Sequence, residues 1–543
     1  MSEVRVGSGE RPAPRATPGL VAIVVAVTVV LGAVSVIYPF GRDQGIHAFI
    51  ADSMLQGKAV YRDVYNIKPP LTTVVHALAL VVFGHSMTSI RILDLLWTAA
   101  TALVLALLAL RMFRRLWVAG LAGGLYAFFY YQFGYWHTSQ TDGWLALPVA
   151  GAVLLVVQAM TGSEGKAQNT PGAGWRWFGA GFLLGLATLM KYTAAVFPVL
   201  LLATLLVAWR RRLGQALRAT GLAAAGFVAP LAVALAVIAG SGALPAFIES
   251  QFGVVPGYVK LRSGGGAGGW PWLGLFFRTL LNVMPSAAIA GAGGLVVLVA
   301  RAVRRPGGYL NLAVALLLMA GGAASTLAQG KFFMYHYLPL LPGFAIAVSG
   351  GAGVLARVRP RVVGLPLLAA LAGSVAAAVS LETSYPRRFQ NLARVATGRL
   401  TVREYWTSGH EKADFCLRDD IMLADYIREK TGPDDPVFIW GYESLVYFLA
   451  RRPVVSRFLY TYPLVVAWSP DALRQELMDA YRKTPAELFV VAHGDSTPHV
   501  MGHGMDSYRT LQQFTELRTY IDEHYEPEAE VGRFSLFRLR ADQ

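Results

Sequence analysis

Few residues in the first two thirds of this chain can carry charge, and they fall in short runs. Residues 41–52 read Gly-Arg-Asp-Gln-Gly-Ile-His-Ala-Phe-Ile-Ala-Asp, with Asp43 just ahead of apolar positions Ile46, Phe49 and Ile50. That spacing predicts a short amphipathic helix starting just after Asp43. A carboxylate there can cap the helix, or it can take a proton from an acceptor hydroxyl at a membrane surface. The two uses are compatible, since a cap also fixes a rotamer. Asp142, in Trp136-His137-Thr138-Ser139-Gln140-Thr141-Asp142-Gly143-Trp144, also opens an apolar run, as a cap or as a second carboxylate. Lys68 precedes Pro69-Pro70, which hold it in extended backbone and start the next helix. A lysine beside a helix N-terminus opposes the dipole and makes better sense with an anion nearby. Lys191 sits at a break in a long apolar run, and Lys331 and His336 sit in Gly330-Lys-Phe-Phe-Met-Tyr-His-Tyr-Leu-Pro339. Brought together, Lys68, Lys191, Lys331 and His336 would bind a phosphate, each lysine as a point charge. Taken singly, each lysine can instead snorkel to lipid headgroups. Arg91 and Asp94, three residues apart, are expected to pair with each other. His493, His499 and His503 lie in a Gly- and Pro-rich loop whose spacing does not match a metal site.

These residues need elements to position them, and the composition says which kind. Of 543 residues 55% are hydrophobic and 15% are charged, where soluble domains carry about 25% charged. The mean hydropathy of +0.46 comes from long apolar blocks, so the chain reads as a polytopic α-helical membrane protein. Its net charge of +15 does not point to nucleic acid, because the charge is unevenly placed. Residues 1–383 hold 28 Lys+Arg and 10 Asp+Glu, whereas residues 384–543 hold 20 and 23. The division predicts a multi-span region over 1–383 and a water-facing tail over 384–543. Cys416 is the only cysteine, which excludes an internal disulfide or a multi-cysteine metal site.

Cytoplasmic loops are enriched in Lys and Arg, so basic clusters mark sides. They fall at Arg5/Arg11/Arg15, Arg111/Arg114/Arg115, Lys166/Arg176, Arg210/Arg211/Arg212/Arg218, Arg301/Arg304/Arg305 and Arg357/Arg359/Arg361. Keeping them on one side gives about eleven spans: 20–37, 90–110, 116–133, 143–160, two short ones within 176–209 turning near Lys191, 219–240, 276–300, 309–328, 336–355 and 362–380. Leu71–Gly84 is too short to cross and is expected to lie along the outer surface within a first external loop over 39–89. The N-terminus is then cytoplasmic, behind an uncleaved signal anchor, and the tail is extracytoplasmic. In the tail, helix-like stretches (419–430, 471–483, 508–524) alternate with strand-like ones (437–440, 488–492, 533–539), as in a small α/β domain.

In this frame Asp43-Gln44-Gly45, Tyr61-Arg62-Asp63, Lys68-Pro69-Pro70, Phe83-Gly84 and Arg91-Ile92-Leu93, in that order, resemble the first external loop of bacterial C-type membrane glycosyltransferases. These include relatives of the protein O-mannosyltransferases and of the lipid A aminoarabinose transferases. Asp142 resembles their second external acid, Lys191 the lysine between the fifth and sixth spans, and Lys331 with His336-Tyr337 their late external motif. The resemblance implies transfer of a sugar, with inversion, from a polyprenyl-phosphate carrier to an extracytoplasmic acceptor: a glycan, lipid or protein. It implies Asp43 as base or acceptor-orienting acid and Asp142 as a supporting carboxylate. Lys68, Lys191, Lys331, His336 and Tyr337 would hold the carrier phosphate. No cofactor is implied except that a divalent cation stays open, and Gln44, where many relatives have Glu, removes one carboxylate ligand. Two rival readings are a lipid-linked-sugar flippase and a non-catalytic envelope scaffold acting through its tail. A flippase needs ionisable groups along a mid-membrane path, whereas these acids and lysines stand at helix ends.

Overall fold

The computed structural model describes residues 16–161, 173–208, 213–261, 270–305, 308–358 and 385–541, with three isolated residues at 369, 372 and 373. The N-terminal arginines, Lys166, Arg210 to Arg212, Arg359, Arg361, the expected span at 362–380 and the boundary at 383/384 lie outside the described residues.

Among the described residues, seven helical segments are long and apolar enough to cross a bilayer: Pro18–Ile37, Met87–Phe113, Thr141–Met160, Gly214–Gly240, Pro285–Arg304, Tyr309–Gln329 and Met334–Leu355. Helix α1 (Pro18–Gly32) continues as a 3-10 turn to Ile37. Helix α2 (Arg42–Leu55) and helix α3 (Leu71–Phe83) follow, α3 with 13 residues being the short helix expected at 71–84. Pro70 is its N-cap, in keeping with the fixed φ of proline at a helix start. Helix α4 (Met87–Phe113) and helix α5 (Leu116–Tyr131) form the next pair. The Asp142 span divides into α6 (Thr141–Trp144) and α7 (Ala146–Met160). The long apolar run breaks at Lys191 into α8 (Ala173–Met190) and, after one 3-10 turn, α9 (Val196–Ala208). Helix α10 (Leu213–Gly240) packs on α8 at glycines: a Cβ on Gly181 would come 1.8 Å from the Ala223 carbonyl oxygen.

One expected span is misplaced. Instead of a helix over 276–300, Trp270–Val283 and Pro285–Arg304 are separate helices broken at Met284. Proline disfavours helical backbone in the residue before it, and Met284 is non-helical at φ −147° and ψ 58°.

The bundle has two chemically distinct ends. At one, Arg111 donates to the Thr161 carbonyl at 2.8 Å and Arg357 to the Phe113 carbonyl at 3.4 Å. At the other end of α4 and of α6–α7 lie Asp43, Lys68 and Asp142.

The tail is the expected α/β unit, with one strand more in its sheet and a two-stranded ribbon besides. A two-stranded ribbon (β1, Glu411–Lys412; β2, Phe415–Cys416) precedes a four-stranded sheet of β3 (Val437–Trp440), β4 (Leu488–Ala492), β5 (Tyr525–Val531) and β6 (Phe534–Leu539). The strand order is β3-β4-β6-β5, with β3 and β4 parallel and the rest antiparallel. The expected helix at 508–524 breaks at Phe514 into Ser507–Gln513 and Thr515–His524. The tail sits directly on the segment between α1 and α4. A Cβ on Gly45 would lie 2.7 Å from that of Leu445, so only glycine lets α2 approach the tail helix Ser444–Ala450 this closely.

Candidate functional site

Helix α2 starts two residues earlier than expected, with Gly41 as its N-cap and Asp43 in the first turn. Capping is therefore not what Asp43 does. Its Oδ1 takes the Lys68 ammonium at 2.8 Å, and its Oδ2 accepts the Tyr335 hydroxyl at 3.0 Å. Burial acts to raise the Asp43 pKa, but Lys68 first, then Tyr335 and Lys191, outweigh it and hold the group below the ordinary carboxylate value. Lys68 is aimed by its own backbone. Its N–H donates to Asn66 Oδ1 at 2.9 Å, and its carbonyl accepts the Tyr61 hydroxyl at 2.9 Å.

Asp142 is not a cap either. Its helix starts at Thr141 behind Gln140, with no side-chain cap bond. The carboxylate, 1% exposed, takes the Lys191 ammonium at 2.5 Å and the Gln329 amide at 2.9 Å. Lys191 is free to reach it because the helix stops there: it is the extended N-cap of the 3-10 turn that follows. The Lys191 ammonium also stands 5.9 Å from the centroid of the Tyr335 ring, which links the two acid–lysine pairs. His336, edge-on to Tyr335 at 4.7 Å, is buried and has no hydrogen-bond partner for Nδ1 among the described residues.

The other two expected phosphate ligands are engaged elsewhere. Lys331 donates to the carbonyls of Leu261 and, at 2.8 Å, of His499 in the tail, and lies 4.4 Å from the Tyr258 ring centroid. Burial pushes its pKa down to about 8. The Tyr337 hydroxyl donates to the Phe276 carbonyl at 3.0 Å, within an aromatic cluster with Phe332. Tyr335, two residues earlier, is the tyrosine that faces Asp43.

A second tier of polar residues fixes the two acid-bearing loops against each other. Gln44 accepts the Gly41 N–H at 3.1 Å and donates its amide to the carbonyls of Tyr135, Trp136 and Thr138 at 3.2, 3.1 and 2.9 Å. Arg91 is fully buried and does not pair with Asp94. It donates to the carbonyls of Pro39 and, at 2.9 Å, Tyr135, and to the Thr138 carbonyl at 3.0 Å, the Thr138 hydroxyl at 3.1 Å and the Ser139 hydroxyl at 2.9 Å. Asp94 instead accepts the Tyr130 hydroxyl and the Trp144 indole N–H, both at 2.7 Å. A spacing of three residues made the pair sterically available. The loops give Arg91, and helices α5 and α6 give Asp94, several partners, which a single ion pair cannot match for a buried charge.

This arrangement does not fit a divalent cation. Both carboxylates are held by ammonium groups, and the three carbonyls beside Gln44 already receive N–H donors, so a hard cation would meet no free oxygen set there. Of the tail histidines, His493 bonds Ser535 at 2.7 Å while His499 lies against Phe333.

Residues 67–237 match the family model of dolichyl-phosphate-mannose-protein mannosyltransferase. Comparison with curated protein sequences finds no match. Among solved structures, ArnT from Cupriavidus metallidurans in the apo state superposes with a TM-score of 0.55 at 16% identity, covering 96% of this chain and 98% of that one. The same enzyme bound to undecaprenyl phosphate gives a TM-score of 0.54 at 15% identity, covering 97% and 99%. An oligosaccharyltransferase of Archaeoglobus fulgidus gives 0.48 at 13% identity, over 96% of this chain and 74% of that one. The chain is thus a multi-pass membrane protein with the C-type membrane glycosyltransferase fold, and its residues 67–237 carry the sequence pattern of the mannosyltransferase family.

Proposed function

We propose that this protein transfers a sugar, with inversion, from a polyprenyl-phosphate carrier to an extracytoplasmic acceptor, a glycan, lipid or protein. The observation that carries the reading is the meeting of Asp43–Lys68 and Asp142–Lys191 around Tyr335 at one end of the bundle. Two carboxylates and two ammonium groups balance, so an added phosphate finds cations within reach of a base.

In the transfer, the acceptor oxygen forms a bond to the anomeric carbon as the bond from that carbon to the phosphate oxygen breaks. The electron pair leaves with the phosphate, and Asp43 takes the proton of the acceptor hydroxyl. A phosphate leaving group gains more from fixed positive charge than from an acid. Lys68, released from Asp43 as that carboxylate is protonated, can turn to the phosphate, with Lys191 and His336 beside it. Asp142 keeps Lys191 charged and aimed. The likeness in fold to a protein solved with undecaprenyl phosphate supports this class of carrier.

The arginine-rich end supports the orientation. Arg111 and Arg357 sit opposite the acid–lysine site, so the positive-inside bias puts the N-terminus in the cytoplasm and the site and tail outside the cytoplasmic membrane. The division into a membrane region over 1–383 and an extracytoplasmic α/β domain over 384–543 follows the same reading.

The test is Asp43→Asn in a transfer assay with extracted lipid-linked sugars. General-base loss is expected to lower the rate by about 10²–10⁴-fold with the melting temperature little changed. Full retained activity would remove the base and the mechanism with it.

A further inference from the structure

Behind the charged groups lies a polar cluster that the transfer step above does not use. His47 is one turn beyond Asp43 on α2, and His76 lies on α3, the helix that Lys68-Pro69-Pro70 introduces. Their rings stand 5.1 Å apart, and His76 lies 5.0 Å from the ring of Trp144, two residues past Asp142. Three site-bearing segments therefore converge on this pair. The imidazoles are 2% and 0% exposed. Among the described residues, neither ring nitrogen of His47 has a hydrogen-bond partner, nor does Nε2 of His76. The hydroxyl of Thr73, three residues before His76 and so on its side of α3, is also buried without one.

The tautomer of His76 is fixed by its neighbour. Nδ1 is 2.9 Å from the Thr72 carbonyl, which only accepts, so Nδ1 carries the proton and Nε2 of the neutral ring is an acceptor. Burial, followed by the charge of Lys68, keeps His47 neutral, with its pKa well below the ordinary histidine value. Neutral His47 then offers one donor and one acceptor. Buried polar groups in native proteins are almost always satisfied, so three idle ring nitrogens in one place call for a ligand. A phosphate bears acceptors alone and would meet the Nε2 lone pair of His76 unfavourably. A sugar hydroxyl both donates and accepts, and an uncharged sugar also avoids the field of Lys68 and Lys191.

We infer that His47 and His76 form the subsite for hydroxyl groups of a neutral donor sugar, while the lysines take the phosphate. This deepens the glycosyltransferase reading and rests on it.

The experiment measures binding to the purified full-length protein in detergent of three short-chain probes: polyprenyl phosphate, polyprenyl phosphate mannose and polyprenyl phosphate glucose. Wild type is expected to bind at least one sugar-bearing probe more tightly than polyprenyl phosphate. His76→Phe, which removes the acceptor, should weaken that probe about tenfold, as loss of one good hydrogen bond does, and leave polyprenyl phosphate unchanged. His76→Gln keeps an acceptor near the Nε2 position and should recover part of the loss, which separates recognition from misfolding. Equal binding of all three probes by wild type, or parallel loss of sugar-bearing and sugar-free probes in both variants, overturns the subsite. Failure of wild type to bind any of them overturns the donor class itself, a different result.

Discussion

Gln44 shows how one atom type decides the geometry of the acid pair. Its amide nitrogen serves three carbonyls of the loop that leads to Asp142, and its oxygen closes the first turn of the helix that carries Asp43. Glutamate has nearly the same shape and no donor, so Gln44→Glu would set a carboxylate against three carbonyl oxygens. Arg91 still serves the Tyr135 and Thr138 carbonyls and Gln140 the Trp136 carbonyl, so the cost comes from the repulsion between the buried carboxylate and these oxygens. The expected outcome is a transfer rate at least about tenfold lower, which corresponds to about 1.4 kcal/mol of misplacement, and a lower melting temperature by scanning calorimetry. Unchanged values of both would show that the amide is not holding the loops. The charged members of the site were legible in the sequence because acids are so scarce: Asp43 and Asp142 stand out among 10 in the first 383 residues. Tyr335, Gln329 and His47 were not, since neutral residues of common types carry no signal until the fold places them. Tyr337, expected at the phosphate from its motif position, donates to the Phe276 carbonyl, whereas Tyr335 in the same 3-10 turn meets Asp43.

At the scale of elements, apolar length and proline placement told most of the story. The short α3, the break at Lys191 and the helix pair around Gly330 follow from run lengths, the Pro69-Pro70 start and the left-handed Gly330 at φ 66°. The break at Met284 is not legible from hydropathy, because 276–300 stays apolar across it; Pro285 is what marks it. What apolar patterning cannot show is how loops are tied to helices, and Arg91 does that here. It extends from the N-terminal end of α4 to five acceptors on the segments before Asp43 and before Asp142. Arg91→Met keeps the length of the stem and removes every donor. Several buried acceptors then go unpaired, so destabilisation of several kcal/mol is expected, about 3–5 in total for a broken buried charge network. The measurement is detergent-solubilised thermal stability together with transfer rate. A variant of wild-type stability and activity would show that the loops hold themselves.

For the molecule as a whole, the tail is seated on the site-bearing segments by apolar packing and by arginine contacts. Arg42, adjacent to Asp43, bonds Asp414 at 2.8 Å and Glu443 at 3.2 Å. Arg457 joins the tail to Glu249 at 3.0 Å and to the Tyr61 carbonyl at 3.1 Å. The alternation of helix and strand in the tail is readable from sequence, whereas its seat is not, because the contacts join residues about 200 to 400 apart in the chain. The seat has a pH dependence of definite sign. Asp495, 0% exposed at the end of β4, bonds Ser507 through both oxygens. Burial first, and the Glu443 carboxylate second, push it up to about 7, with Ser507 and Arg42 pulling the other way. The folded protein therefore binds a proton that the unfolded chain releases near the ordinary carboxylate value. Stability from that proton is complete below the unfolded pKa and is lost as pH rises towards about 7. Asp495→Asn keeps the shape, still accepts from the Ser507 N–H and has no proton to lose. The melting temperature of the variant should exceed that of wild type by an amount that grows from pH 5 to pH 8, reaching about 2–4 °C. Parallel curves across that range would mean that Asp495 is ionised throughout and that Arg42 alone balances the acids around it.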